Sequence, residues 1–373
     1  MRASVIIDNY NYAEFLAQAI ESALAQTHSQ TEVIVVDDGS TDGSREVIAR
    51  YGNRIVPILK DNGGQGSAFN AGFAVSHGAL VIFLDADDVL LPDAVETLVP
   101  DFRDPEVAKA HWSMPVIDAR GQRTGDVMEP DLAGGDFRDE VRRQGPQSDA
   151  TPLSAPTSGN AFARSFLERV MPMPEEANRY GADTYLFALA PAYGRLVLHE
   201  EPQSLYRIHG TNLHGGKLFS EVLALARADL EILPPIAARP FAEAGVQVDL
   251  DEWRRHSWWG RVDDAVTMIK RLVAEGDAFL LADEDSWGTD SDFFSRIRIP
   301  FPEVEGEYGG VPEDDASAIA ALEEGRGRGA VAIFFAWPAH WWLEHFEQLQ
   351  THLEERYRYL CHNEVLIGFG LRE

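Results

Sequence analysis

Short apolar runs recur along the first hundred positions, and each stops at acidic or turn-forming residues. Ala3-Ser4-Val5-Ile6-Ile7, Glu32-Val33-Ile34-Val35-Val36, Ile55 to Leu59 and Ala79 to Leu84 read as strands. The last run is apolar at every position and lies between Gly78 and a set of acids, the pattern of a strand buried on both faces. Between the first two runs Phe15, Leu16, Ala19, Ile20, Ala23 and Leu24 recur at i, i+3 and i+4, so one helix face packs on a sheet. A short helix is expected from Ser44 to Arg50, and Ser67 is placed to cap another that runs to Ser76. Strands alternating with helices predict parallel βαβ units with right-handed crossovers, an α/β fold.

In such a sheet the loops that leave strand carboxyl ends gather on one edge, where open α/β sheets bind ligands. Those loops are Asp8-Asn9-Tyr10-Asn11, Asp37 to Gly43, Asn62 to Gly66 and Asp85-Ala86-Asp87-Asp88. The carboxylates of Asp8, Asp38 and Asp85 to Asp88 are therefore expected in one cleft. Three carboxylates at the end of a buried strand are costly unless a cation meets them. Mg2+ and Mn2+ prefer oxygen ligands and share them with substrate phosphates. The tetrapeptide reads either as a metal-diphosphate site or as a solvated acidic turn leading into a helix near Pro92.

Further along, 111–118 and 124–128 read as a hairpin. The segment from Gly134 to Ser158 is a long loop, either an acceptor-side lid or plain surface. Gly181-Ala182-Asp183 opens an apolar helix, Tyr185 to Tyr193; Arg195 to His199 is a strand; Leu205 to Asn212 follows it. Phe219 to Leu233 reads as an amphipathic helix ended by Pro234-Pro235. The stretch from Asp249 to Ala274 looks helical, and its Trp253, Trp258 and Trp259 read as core packing rather than as a surface for a partner. Strands at Asp277 to Asp283, Gly329 to Phe335 and Glu364 to Phe369 alternate with helices at Asp314 to Gly325 and Trp341 to Tyr359, a small three-layer module. The expected division is a first α/β domain over 1–215, a helical connector over 216–261 and a smaller α/β domain over 262–373.

Charge and cysteine content narrow the function. The 373 residues carry 32 Lys and Arg against 61 Asp and Glu, a net charge of −29. That balance excludes a general nucleic-acid surface, and an anionic substrate would need a local cation. A single cysteine, Cys361, allows no intrachain disulfide and fits a reducing compartment. No signal peptide is read, and the apolar run Val331 to Leu343 is too short to span a bilayer. A cytoplasmic protein is expected, with peripheral membrane contact left open. Asp283, Glu284 and Asp285 read as a solvated loop rather than a second metal site, and Tyr308 to Pro312 lacks the residues of a phosphate loop.

Four blocks, in order, carry a family resemblance: Val5-Ile6-Ile7 with Tyr10-Asn11; Glu32 to Gly43; Asn62-Gly63-Gly64 with Asn70-Ala71-Gly72; and Phe83 to Asp88. Together they resemble the family 2 glycosyltransferases of GT-A fold, and the match implies transfer of a sugar from a nucleotide diphosphate, usually with inversion and a divalent metal. The expected partners are a nucleotide-diphospho-sugar donor and a saccharide or glycoconjugate acceptor, with Mn2+ or Mg2+ as cofactor. The resemblance places Asp8 and Tyr10 against the nucleobase and ribose and lets Asp38 accept hydrogen bonds from the base. It puts Asp85 by the ribose and Asp87 on the metal. Phe69 stands where the family often has a basic residue. Asp183 matches the family's catalytic base; the plain alternative is an acid placed by the helix dipole. Leu205-Tyr206-Arg207-Ile208-His209 resembles the family's closing segment. There His209 would complete the metal shell or meet a phosphate, or serve the structure only. Arg207 would face the leaving phosphate or pair with Glu200 or Glu201. Two rivals remain. A nucleotidyltransferase would show a basic, Gly-rich loop after the first strand, and none is present. A degenerate transferase would bind the nucleotide sugar without turnover.

Overall fold

The apolar runs of the first hundred residues fold as the strands they predict. The structure is a computed structural model and describes residues 1–128, 132–145, 154–210, 212, 219–284, 286–287 and 291–372. Its strands up to residue 207 are β1 (Ala3–Asn9), β2 (Thr31–Asp38), β3 (Val56–Lys60), β4 (Leu80–Asp85), β5 (Val89–Leu90), β6 (Val107–Trp112), β7 (Met114–Ile117), β8 (Arg123–Met128), β9 (Asn160–Ala163), β10 (Arg195–His199) and β11 (Ser204–Arg207). The helices are α1 (Ala13–Leu24), α2 (Ser44–Ala49), α3 (Gln65–Val75), α4 (Ala94–Leu98), α5 (Arg138–Gln144), α6 (Arg164–Val170) and α7 (Ala182–Tyr193).

Seven strands form one mixed sheet in the order β10-β6-β9-β4-β1-β2-β3. β1 pairs in parallel with β2 and with β4, and β9 runs antiparallel between β4 and β6. The chain leaves β1 toward β2 and β3, then returns to lay β4 on the other side of β1, so strand order reverses there. A crevice opens at such a switch point, beyond the carboxyl ends. Register sets its contents: Asp8 of β1 stands opposite Asp85 of β4. Val5, Ile6, Ile7, Ile34, Val35, Val36 and Leu80 to Leu84 are almost fully buried, as strands covered on both faces require.

A second, four-stranded sheet in the order β5-β11-β7-β8 lies in the same unit. β11 is antiparallel to β5, just past the acidic tetrapeptide, and parallel to β7. The hairpin predicted near 111–128 is β7–β8, but β6 leaves it to join the main sheet. The segment between Gly134 and Ser158 contains α5, which its Gly- and Ser-rich composition hid; residues 146–153 of the expected lid lie outside the described residues.

By contacts the chain divides into two compact units, Met1–Gly215 with Glu231–Trp253, and Gly216–Leu230 with Arg254–Glu373. Helix α8 (Phe219–Glu243) runs past Pro234 and Pro235. Proline removes helix hydrogen bonds, yet Ala237 and Phe241 are buried in the first unit's core and Phe241 packs edge-on against Trp253. Tertiary burial thus outweighs the local stop signal. α9 (Leu250–His256) and α10 (Trp258–Leu272) follow.

In the second unit the strands are β12 (Ala278–Ala282), β13 (Ile297–Pro300), β14 (Glu303–Val304), β15 (Glu307–Tyr308), β16 (Ala330–Ala336), β17 (Arg358–His362) and β18 (Leu366–Gly370). Five of them form a sheet in the order β13-β12-β16-β18-β17. Helices α11 (Asp315–Gly327), α12 (Trp341–His345) and α13 (Glu347–Arg356) join α10 and the first part of α8 in this unit. The single helix expected from Trp341 to Tyr359 breaks at Phe346, whose ring is buried and whose backbone is non-helical, and Tyr359 belongs to β17. β13 and β17 escaped notice because edge strands need only one partner and neither shows clean alternation. Glu284 accepts hydrogen bonds from the indoles of Trp341 and Trp342, and Asp283 accepts one from Trp287 N, so these acids tie loops together. Asp285 lies outside the described residues.

Candidate functional site

The centre of the site is the end of β4. Oxygens of Asp85, Asp87 and Asp88 approach one another within 4.8 Å, and among the described residues this is the one His/Cys/Asp/Glu group that close. Asp88 is 1% exposed and its Oδ2 has no hydrogen-bond partner, nor has Oδ1 of Asp8. Burial, followed by the neighbouring carboxylates, pushes Asp85 and Asp88 well above the ordinary carboxylate range. Asp8 is pushed to about 8 by the same causes. Buried carboxyls that face one another either hold protons or meet a cation, and their oxygens suit a hard divalent one.

β11 supplies the residues that hold this centre. Arg207 is fully buried. Its backbone N–H donates to Asp88 Oδ1 at 2.8 Å, and its guanidinium donates to Asp87 O (2.6 Å), Asp118 O (3.1 Å) and Gln18 Oε1 (2.6 Å) while lying over the Phe15 ring. Rather than pairing with Glu200 or Glu201, the guanidinium clamps the acidic turn, its donors met by oxygens close at hand. His209 Nε2 lies 3.0 Å from Asp87 Oδ2, and the imidazole stacks on Phe15. In this arrangement Nε2–H donates to the carboxylate; to ligate a metal the same nitrogen must be free of its proton.

On the other side of the sheet Asp38 accepts from Lys60 Nζ (2.6 Å), Gly63 N (2.9 Å) and Gly64 N (2.7 Å). Its side chain therefore fastens the Asn62-Gly63-Gly64 loop. Gly64 has φ +88°, and a Cβ there would meet Arg179 backbone at 2.6–2.7 Å. Tyr10 is 47% exposed at the mouth of the crevice. Phe69 is buried against Phe83, with ring centroids 4.1 Å apart, so the position where a cation was missed is core. Lys60, which the sequence pattern did not single out, brings a cation to the same loop.

Asp183 stands in the first turn of α7, after Gly181 in the left-handed region. Its Oδ2 accepts from Thr157 Oγ1 at 2.8 Å. Gln65 links the two halves of the site: its Oε1 accepts from Ala182 N (3.1 Å) and its Nε2 donates to Asp85 (3.4 Å). Gln65 thus ties the first turn of α7, which carries Asp183, to Asp85 at the end of β4, and the field of Asp183 adds to the raising of Asp8 and Asp85. The structure thus brings Asp8, Asp85, Asp87, His209 and Asp183 to one edge, sets Tyr10 at its mouth, and turns Arg207 and Asp38 into the scaffold. Gln65 and Thr157 were missed because a lone amide or hydroxyl leaves no pattern.

Known proteins similar in sequence to this chain are glycosyltransferases. The family model described as glycosyl transferase family 2 matches residues 4–156. An uncharacterized glycosyltransferase of Nostoc sp. is 38% identical over 238 residues, covering 62% of this chain and 73% of the relative. The chondroitin synthase of Pasteurella multocida is 43% identical over 102 residues, 26% of this chain and 11% of that longer protein. Among solved structures, a mannosyltransferase of Pyrobaculum calidifontis in complex with GDP-Man and Mn2+ aligns over 73% of this chain and 76% of its own, with 19% identity and a TM-score of 0.47. With the Nostoc relative matched over most of its length and the family model laid on β1 to β4, the chain belongs to glycosyl transferase family 2 and is a glycosyltransferase of GT-A fold.

Proposed function

We propose that this enzyme transfers a sugar from a nucleoside-diphosphate donor to an acceptor hydroxyl, with inversion, in polysaccharide or glycoconjugate synthesis. The observation that carries the reading is the set of facing carboxylates of Asp85, Asp87 and Asp88 at the switch point, with Asp183 across the crevice. Asp87 and His209 would hold a divalent cation, which when bound supplies positive charge for the departing diphosphate. Asp85 and Asp8 line the nucleoside side, with Tyr10 at the opening. Asp38 and Lys60 shape the loop beneath them. Arg207 keeps the acidic turn in place.

Asp183 acts as general base: its carboxylate takes the acceptor proton as that oxygen attacks the anomeric carbon. Thr157 Oγ1 donates to one carboxylate oxygen and the Thr184 backbone N–H to the other, and together they fix the orientation of the group. A single displacement needs one carboxylate on the acceptor side, and inversion follows. Nucleotide release from a panel of UDP- and GDP-sugars in the presence of Mn2+ tests this. Asp183→Asn should lower transfer by about 10²- to 10⁴-fold while leaving nucleotide affinity within about twofold. Full transfer by that variant would place the base elsewhere. A wild-type protein that binds nucleotide sugar and acceptor without turnover would make it a binding protein of the same fold.

A further inference from the structure

Lys109 is a buried cation that none of these roles uses. It lies on β6, is 1% exposed, and donates to Ser154 Oγ at 2.7 Å. Its ammonium stands 4.9 Å over the ring of Phe187. Phe187 follows Asp183 by four residues on α7, so the two share a helix face. Ser154, which holds Lys109, precedes by three residues Thr157, which holds Asp183. The ammonium and the carboxylate are thus fixed by the same loop and the same side of one helix.

Burying an ammonium is costly without an opposite charge. The ionisable groups whose fields couple to Lys109 are Asp183 of α7 and, on its own strand, His111. Burial keeps His111 neutral, at about 3, with Lys109 and with His199 of β10 adding to the effect, so it offers no counter-charge. Burial lowers Lys109 to about 7, and the field of Asp183 pulls it back up. The field of Asp183 in turn reaches Asp8 of β1 and Asp85 of β4 and adds to the raising of both.

We propose that Lys109 is a positioning residue for the base: its ammonium is a buried counter-charge that orients Asp183 among the carboxylates of Asp8 and Asp85. The functional meaning rests on Asp183 being the base; the coupling of the two side chains does not. Lys109 touches no substrate and acts through Asp183.

The test uses the full chain without ligand, as wild type, Lys109→Met, Lys109→Arg, Asp183→Asn and the Lys109→Met/Asp183→Asn double variant. In protein labelled with 13C at aspartate carboxyls, the Asp183 resonance is the one lost in Asp183→Asn. Its titration midpoint should rise by about one pH unit in Lys109→Met and return toward wild type in Lys109→Arg. Melting temperatures should be non-additive, with Asp183→Asn recovering part of the loss caused by Lys109→Met. If Lys109→Met does not fold, the Lys109 Cε resonance, assigned with Lys109→Arg, should titrate about one pH unit lower in Asp183→Asn than in wild type. An unmoved midpoint in either experiment, or additive melting temperatures, overturns the proposal. Full transfer by Asp183→Asn with these couplings intact would instead overturn only the base assignment.

Discussion

Arg207→Met separates a clamp from a phosphate contact. Methionine keeps much of the stem that lies on Phe15 and removes every guanidinium donor. Asp87 O, Asp118 O and Gln18 Oε1 then lose donors they meet at 2.6–3.1 Å, and Asp88, 1% exposed, loses its nearest cation. An unsatisfied buried acceptor costs about 1–3 kcal/mol, and three acceptors lose their donor. Relief of burying the guanidinium itself offsets part of the sum. A net loss of about 4 kcal/mol is expected. At 2–4 °C per kcal/mol for a unit of this size, the metal-free melting temperature should fall by about 8–16 °C. Differential scanning calorimetry in EDTA reads this directly. A variant that melts within about 2 °C of wild type, yet has lost nucleotide affinity, would show that Arg207 faces the ligand and that the clamp is wrong.

Two further outcomes follow from single residues. His111 is neutral when folded, with its proton affinity depressed to about 3, so the unfolded chain binds the extra proton and stability falls as pH drops below about 6.5. Between pH 7.5 and pH 5 this residue should account for about 2 kcal/mol; urea unfolding of His111→Gln should show a shallower pH dependence by that amount, and an identical slope would refute it. Gly64→Ala forces a Cβ into Arg179 at a positive φ and should cost about 2 kcal/mol in urea unfolding while loosening the loop that holds Asp38; a neutral effect would show that the loop is not so constrained.

The parallel half of the fold was readable because each buried strand is a continuous apolar run and ends in acids or turn residues. Asp8, Asp85 and Asp87 could be placed at one edge for that reason alone. What the chain does beyond Leu98 was harder to read. Whether Arg207 faces a ligand or the protein depends on which carbonyls surround it, and strand β11 brings Asp118 and Gln18 to it from distant segments. Gln65, Thr157 and Lys109 matter through single long-range contacts that have no period. In the second unit, Phe346 breaks a segment of good helix formers because its ring is buried, and β13 and β17 are edge strands with no alternation to reveal them. Pro234 and Pro235 argued for a helix end that burial of Ala237 and Phe241 overrides.

The central claim is that the carboxylates at the end of β4 bind a nucleoside diphosphate through a divalent cation. Thermal shift with UDP, GDP, dTDP and CDP, each with Mn2+, Mg2+ or EDTA, tests it most directly in wild type and Asp87→Ala. A ligand at one hundred times its Kd stabilises by about 2.7 kcal/mol, well within reach of the method. One nucleotide is expected to raise the melting temperature with metal and not with EDTA, and Asp87→Ala is expected to abolish the rise. A rise that survives EDTA, or that survives Asp87→Ala, would contradict the assignment.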